Sequence, residues 1–208
     1  MEQFASTQKK QLAKDVDFEA GDFQVRMAIA SDGRYIKDIQ SVIEGAAGKD
    51  GTGIAMRSAA YLREKIVSGK AVIALQGRKF AGFCYIESWE DKKFVANSGL
   101  VVAPEFRGFG LAAEIKQKAF ILSTRLFPGA KIFGLTTSPA VMKINSDLGY
   151  RPVTFRELTT DGEFWQGCKT CRYFDILERT NRQYCLCTGM LLDPQRDEAF
   201  PPLRVRRR

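Results

Sequence analysis

An arginine and two glycines stand where a predicted strand gives way to a predicted helix. The stretch APEFRGFGLA, residues 103–112, follows the apolar run SGLVV and leads into AEIKQKAFILSTRLF. A helix N-terminus has backbone N–H groups without partners and the positive end of the helix dipole, and glycines before it let a ligand approach the backbone. Arg107, Gly108 and Gly110 therefore predict a phosphate or pyrophosphate site, although a tight turn without a ligand has the same pattern.

Four cysteines near the C-terminus have a spacing that could hold a metal ion. Cys168, Cys171, Cys185 and Cys187 form the pattern C-x2-C-x13-C-x-C. Cytoplasmic disulfides are rare, so four thiolates around a structural zinc ion are one interpretation. The C-x-C half is a less usual ligand pair, and free cysteines are commonly buried. A structural zinc site and ordinary core packing are therefore both open.

The chain contains no histidine. This excludes a histidine general base, a serine–histidine or cysteine–histidine nucleophile, and any histidine metal ligand. Chemistry must be carried by carboxylates, tyrosine, lysine, cysteine, backbone groups or water.

Strand and helix patterns follow one another in an order that indicates an α+β fold around a mixed sheet. The strand DFQVRMAIA precedes two helical stretches, for which Ser31 and Ser58 are the predicted N-caps. Three strand-like runs follow: AVIAL, FAGFCYIESW and FVANSGLVV. After the Arg/Gly stretch come a helix, the strand AKIFGLTT, the short helix SPAVMKINSDLGY, the strand RPVTF and a late strand, YCLCTGMLLD.

Composition and charge bound the class of protein. The 208 residues are 45% hydrophobic and 27% charged, as in soluble globular proteins. No apolar run approaches the roughly 20 residues that span a bilayer, and the N-terminus has no apolar signal segment, so we expect a cytoplasmic protein. The net charge of +8 includes the terminal RVRRR, which favours a solvated basic tail over a nucleic-acid arm. Homo-oligomers are compatible with the sequence.

The stretch LVVAPEFRGFGLA resembles motif A of the GNAT superfamily of N-acetyltransferases, and the order of elements is similar to that fold over most of residues 23–155. The resemblance implies a GNAT fold, acetyl-CoA as cosubstrate and a small-molecule amine as acceptor. Val101 and Val102 would pair with the pantetheine, and the backbone N–H of Leu100 would be the oxyanion donor. The pyrophosphate would be held by backbone groups of Arg107, Gly108, Phe109, Gly110, Leu111 and Ala112.

Two positions depart from the family pattern. Asn145 stands where many members have the tyrosine that protonates the leaving thiolate, and Ala96 stands where many have the glutamate that deprotonates the amine. An ammonium with a pKa near about 10 must lose a proton before it attacks. Glu87 on the neighbouring strand could accept it, as could a water chain past Asn97 and Ser98. Glu87 could equally be an ordinary exposed strand residue.

Two further stretches resemble the acetyltransferase domain of bacterial N-acetylglutamate synthase, namely GTGIAMRSAAYLREKI and IFGLTTSPAVMKINSDLGYRPVTFRELT. This resemblance implies glutamate as the acceptor and a place in arginine biosynthesis, with Arg57, Ser58 and Arg151 as acceptor-binding candidates. Arginine suits a carboxylate because its donors bind both oxygens. Other acceptors (ornithine, a polyamine or a peptide), succinyl-CoA as donor, and a catalytically silent acyl-CoA-binding module are the alternatives.

These observations predict an N-terminal extension over residues 1–22 and a single acetyltransferase domain over 23–194. Within the domain, a Cys-rich C-terminal part covers 156–194 as an extension of the GNAT fold. A basic tail follows over 195–208.

Overall fold

The computed structural model describes residues 23–48 and 51–196. The predicted N-terminal extension, and the basic tail beyond residue 196, lie outside the described residues. The division into domains stays a prediction.

Within residues 23–48 and 51–196, seven strands form one sheet in the order β1-β2-β3-β4-β5-β7-β6. Their bounds are β1 Phe23–Met27, β2 Ala71–Gln76, β3 Lys79–Trp89, β4 Phe94–Val102, β5 Lys131–Thr136, β6 Arg151–Val153 and β7 Thr188–Leu192. Every neighbouring pair is antiparallel except β4 and β5, which are parallel. The predicted mixed, mostly antiparallel sheet is confirmed.

Helices flank the sheet. They are α1 Ile36–Gly48, α2 Ala59–Val67, α3 Leu111–Leu126, α4 Pro139–Asp147, α5 Gly162–Gln166 and α6 Phe174–Arg179. Short 3-10 turns cover Ala30–Tyr35, Pro104–Phe106 and Phe155–Glu157. In the parts of the chain described, no helix combines the length and apolar character that crossing a bilayer requires.

Two predicted helix starts have different outcomes. Ser58 caps α2 as expected, because its Oγ accepts the backbone N–H of Tyr61 at 3.2 Å. Ser31 does not cap the first helix, since it lies within the 3-10 turn that precedes α1. There the carboxylate of Asp32 accepts the N–H of Ile29 at 2.8 Å, so an acidic residue stabilises the turn instead.

The Cys-rich part is a component of the fold, which corrects its description as an extension. Strand β7 lies between β5 and β6 and pairs with both. Buried Trp165 and Leu177 pack in one cluster with Phe133 of β5 and Leu191 of β7. The residues after 156 therefore complete the sheet and share its core.

Candidate active site

A cleft opens where β4 and β5 part. The two strands pair only through Phe94–Ala96 and Lys131–Phe133, although β4 continues to Val102 and β5 to Thr136. From the last pair onwards, residues 96–100 and 133–136 line a cleft that is open to solvent. A gap between two parallel strands leaves backbone groups on both edges available to an extended ligand.

A bulge in β4 lies at the edge of this cleft. Tyr85 is opposite Ser98 and Phe83 is opposite Val101, so Gly99 and Leu100 have no partner in the β3 register. Gly99 has φ +65°, and a Cβ there would come within 2.6 Å of the Tyr85 ring. The bulge re-aims the backbone at Leu100, whose N–H is the predicted oxyanion donor. Val101 and Val102 follow the bulge and return to pairing with β3.

The Arg/Gly turn follows β4 directly. Gly108 and Gly110 have φ +92° and +79°, and both positions are open, with nothing within 4 Å of an added Cβ. Gly110 is the N-cap residue of α3, and no side chain caps this helix. Residues 107–110 are exposed, while Leu111 is buried. The turn thus has the exposed, uncapped helix N-terminus that the sequence predicted for an anion site.

A buried network lies beneath the cleft. Asn97 donates to the Oγ of Ser123 at 2.8 Å and accepts from the hydroxyl of Tyr150 at 2.9 Å. These two hydrogen bonds involve both the amide nitrogen and the carbonyl oxygen of the Asn97 side chain. Asn145 of α4 is 1% exposed and lines the cleft, and its Oδ1 has no hydrogen-bond partner. A buried oxygen left unpaired is costly, and this one faces a site where a ligand group could satisfy it.

Lys116 of α3 also lines the cleft, and sequence reasoning did not single it out. It is 2% exposed, on the same buried face as Leu111, Ile115 and Ala119. Burial lowers the pKa of its ammonium from 10.5 to about 8. The available signal was a lysine placed next to Ile115 on the apolar stripe of an amphipathic helix.

Arg57 lies in the loop immediately before α2. Its Nε donates to the hydroxyl of Tyr85 at 2.9 Å, and its Nη1 donates to the carbonyl of Gly167 at 2.7 Å. It lines both the main cleft and a second, adjoining cavity. No ion pair joins Arg57 to any carboxylate of the described residues. The guanidinium is therefore held in place while its charge is not neutralised.

Glu87 lines the adjoining cavity with Arg57 and Ser58. Its carboxylate accepts hydrogen bonds from the hydroxyl of Tyr61 and the ammonium of Lys65. Burial works against the charged form of Lys65, but its hydrogen bonds to Glu64 and Glu87 outweigh burial and raise its pKa. Glu87 is thus a partly buried carboxylate beside a stable cation, a setting that the sequence did not reveal.

Arg151 lies apart from these groups. It lines neither the main cleft nor the adjoining cavity, and its Nη2 pairs with Glu157 at 3.0 Å. The carboxylate of Glu157 balances the charge of Arg151. We therefore do not include Arg151 in the acceptor site.

The Cys-rich part forms one wall of the cleft. Tyr173 donates to the carbonyl of Gly51 at 2.7 Å, and Thr170 donates to the carbonyl of Met56 at 3.0 Å, so this part is docked on the loop before α2. All four predicted metal ligands line the cleft: Cys168, Cys171, Cys185 and Cys187. Sequence reasoning identified these cysteines but missed their place in the site.

The predicted zinc site is not formed by the residues that the structure describes, where no group of three or more Cys, Asp or Glu side chains is arranged to hold a metal ion. Cys168, Cys185 and Cys187 instead pack against the apolar cluster around Phe133 and Trp165. Burial raises the pKa of Cys168 to about 11, so its thiol is neutral in this packing.

Several solved structures share this fold. N-acetylglutamate synthase from Neisseria gonorrhoeae, complexed with coenzyme A and N-acetylglutamate, matches with a TM-score of 0.60 and 17% identity, over 83% of this chain and 35% of that one. Rv2747 from Mycobacterium tuberculosis, in complex with CoA, matches with a TM-score of 0.58 and 17% identity, over 82% of this chain and 98% of that one. A GNAT superfamily phosphinothricin acetyltransferase from Sinorhizobium meliloti, in complex with acetyl-CoA, matches with a TM-score of 0.53 and 18% identity, over 82% of this chain and 88% of that one.

These likenesses establish the fold, which is that of the GNAT acetyltransferases. The chain spans about a third of the Neisseria synthase, 35% of its length. No protein-family profile matches the chain, and no curated protein sequence matches it.

Proposed function

We propose that this protein is an acetyl-CoA-dependent N-acetyltransferase that acts on the amine of a small carboxylate-bearing compound, with L-glutamate as the leading candidate. The observation that carries the proposal is the cleft between the parted ends of β4 and β5, together with the uncapped N-terminus of α3 that follows β4 in the chain. An extended ligand with an anionic end fits a slot of this form.

Three backbone features would hold acetyl-CoA. The exposed turn of residues 107–112 would bind the pyrophosphate through its N–H groups. The edge of β4 at Val101 and Val102, which has no β5 partner, would pair with the pantetheine. The N–H of Leu100 would donate to the thioester oxygen as negative charge develops there.

The acceptor would lie on the Arg57 side of the cleft. Arg57 is a positioned cation without an ion-pair partner among the described residues, so a substrate carboxylate is its natural complement. The likeness to the Neisseria synthase, whose complex holds N-acetylglutamate, supports glutamate in particular. Ser58 adds the N-terminus of α2 beside Arg57.

Glu87 is the proposed acceptor of the amine proton. Two carboxylates line the cavity next to Arg57, and Glu87 is partly buried while Glu163 is exposed. We expect Glu87→Gln to lower kcat/KM by about 10²-fold, the scale of general-base loss, with Glu163→Gln as the matched control that stays near the wild type. Equal rates for Glu87→Gln and the wild type would remove Glu87 from this role.

A steady-state panel tests the proposed function. Acetyl-CoA and succinyl-CoA are each combined with glutamate, ornithine, a polyamine and a short peptide, and free thiol is measured. We expect the highest kcat/KM for acetyl-CoA with glutamate. Turnover with only another donor–acceptor pair would support an acyltransferase but would contradict acetyl-CoA and glutamate as its substrates. Binding of acetyl-CoA by calorimetry without thiol release from any pair would contradict catalysis and leave an acyl-CoA-binding module.

A further inference from the structure

Lys116 lies at the point where β4 and β5 separate, which we call the vertex of the cleft. The last β4–β5 pair is Ala96 with Phe133, and the next residues, Asn97 and Gly134, are where the strands separate. A Cβ added to Gly134 would lie 3.6 Å from the Nζ of Lys116 and 3.3 Å from the carbonyl oxygen of Asn97. The missing side chain at Gly134 therefore leaves the ammonium facing the cleft between the two strands.

The described residues around Lys116 supply no counterion. Cys84 of β3 faces it, and the Tyr150 ring after α4 lies with its centroid 5.2 Å from Nζ. Burial raises the pKa of Cys84 to about 11 and that of Tyr150 well above its usual value, so both are neutral near pH 8. Among the described carboxylates, none pairs with Lys116. An unpaired buried lysine is costly to folding, which indicates that the position serves a ligand.

We propose that Lys116 is a catalytic residue that protonates the thiolate leaving in the acyl transfer, an inference that rests on the proposed function. A thioester whose carbonyl accepts from the N–H of Leu100 would lie in the same cleft that Lys116 lines. Asn145 lines the same space with an unpartnered Oδ1, but a neutral amide has no acidic proton to give. The ammonium of Lys116 does have an acidic proton, and Lys116 lies at the point where the strands separate.

The step balances without a further reactant. The amine nitrogen forms a bond to the acyl carbon, the carbon–sulfur bond breaks, and its electron pair goes to sulfur. The acceptor ammonium loses two protons in all, one before the attack and one as the carbon–nitrogen bond forms, and both leave through Glu87 to solvent. Sulfur takes a proton from the Lys116 ammonium. Lys116 regains its proton from solvent after the thiol departs, so the net release is one proton per turnover.

The lowered pKa of Lys116 suits this transfer. Its value of about 8 lies near the roughly 8.5 of a free alkyl thiol, whereas an unperturbed lysine holds its proton more tightly. Proton transfer is most effective when donor and acceptor are matched near the working pH. The protonated form is required, so kcat falls as the pH rises above about 8.

The test is the pH profile of kcat for the full chain and its Lys116→Met variant. Methionine keeps the length of the side chain and removes the proton. We expect kcat to fall by about 10²-fold and the descending limb near pH 8 to disappear, with unchanged affinity for CoA by calorimetry. Lys118→Met, two residues on along α3, is the matched control and retains the wild-type profile.

Lys116→Arg separates proton transfer from charge. Arginine keeps the charge but does not release its proton, so we expect this variant to be as slow as Lys116→Met. A wild-type kcat and profile in Lys116→Met, or a wild-type kcat in Lys116→Arg, would overturn the role of Lys116 and leave the proposed function standing. Absence of thiol release by the wild type with any amine would instead overturn both.

Discussion

At the scale of single residues, the site consists of two cations with different surroundings. Arg57 is fixed by a hydroxyl and a carbonyl and faces the acceptor side, whereas Lys116 is buried at the vertex. The first is always charged, and the second titrates near neutral pH. Under the proposed function, this difference suits Arg57 to binding the acceptor and Lys116 to proton transfer.

The role of Arg57 predicts a selective loss of acceptor binding. Charge-assisted hydrogen bonds are worth about 1.5–3 kcal/mol, so Arg57→Ala should raise the KM for glutamate by roughly 10- to 100-fold. The KM for acetyl-CoA should change by less than about twofold. Arg151→Ala, which removes only the pair with Glu157, is the matched control in the same assay. An unchanged KM for glutamate in Arg57→Ala would exclude Arg57 from the acceptor site.

The burial of Lys116 predicts a cost to stability that depends on pH. The unfolded chain binds this proton more tightly, at a pKa near 10.5, than the folded protein, at about 8. Stability from this group therefore rises between pH 8 and 10.5 and is lowest below pH 8. Lys116→Met should raise the free energy of unfolding by on the order of 3 kcal/mol at pH 7, as measured by urea denaturation.

The same measurement at higher pH provides the internal control. The stability difference between Lys116→Met and the wild type should shrink as the pH approaches 10.5. A destabilised variant at pH 7, or a difference that does not change with pH, would contradict the charged, unpaired state of the buried lysine.

At the scale of elements, the turn between β4 and α3 is the part that sequence reasoning placed best. The two glycines have positive φ and open surroundings, as a backbone site for an anion requires. The cleft was harder to foresee, because it depends on where β4 and β5 stop pairing, which no local pattern records.

Gly110 allows the conformational role of glycine to be separated from its role in binding. An alanine at φ +79° costs roughly 1–2 kcal/mol, and Gly129 has the same φ of +79° with equally open surroundings after α3. Gly110→Ala and Gly129→Ala should therefore lose similar stability by thermal melting. Only Gly110→Ala should raise the KM for acetyl-CoA, by several-fold. Equal KM values in both variants would contradict an anion site at the turn.

At the scale of the whole molecule, the net charge of +8 favours a polyanionic cosubstrate. We expect kcat/KM for acetyl-CoA to fall as salt is raised, because electrostatic attraction is screened over about 10 Å at 0.1 M. A chain lacking residues 204–208, which include four arginines, should still show a fall with salt, since the attraction at the turn remains. A slope that vanishes with the tail would contradict this view.

The sequence predicted some parts of the structure better than others. Apolar alternation and turn residues predicted the strands and the Arg/Gly turn because these are local signals. The place of the Cys-rich part between β5 and β6 depends on long-range pairing, so spacing alone suggested zinc rather than a wall of the cleft. Lys116 was hidden because a lysine within an apolar stripe resembles a surface residue until the sheet packs against it.

The structure of the complex with acetyl-CoA would show whether the cleft between β4 and β5 is the acetyl-CoA site. We predict pyrophosphate at residues 107–112, pantetheine between β4 and β5, and the thioester oxygen about 2.7–3.1 Å from the backbone nitrogen of Leu100. Acetyl-CoA bound outside this cleft, or with its thioester remote from Leu100 and Lys116, would contradict it.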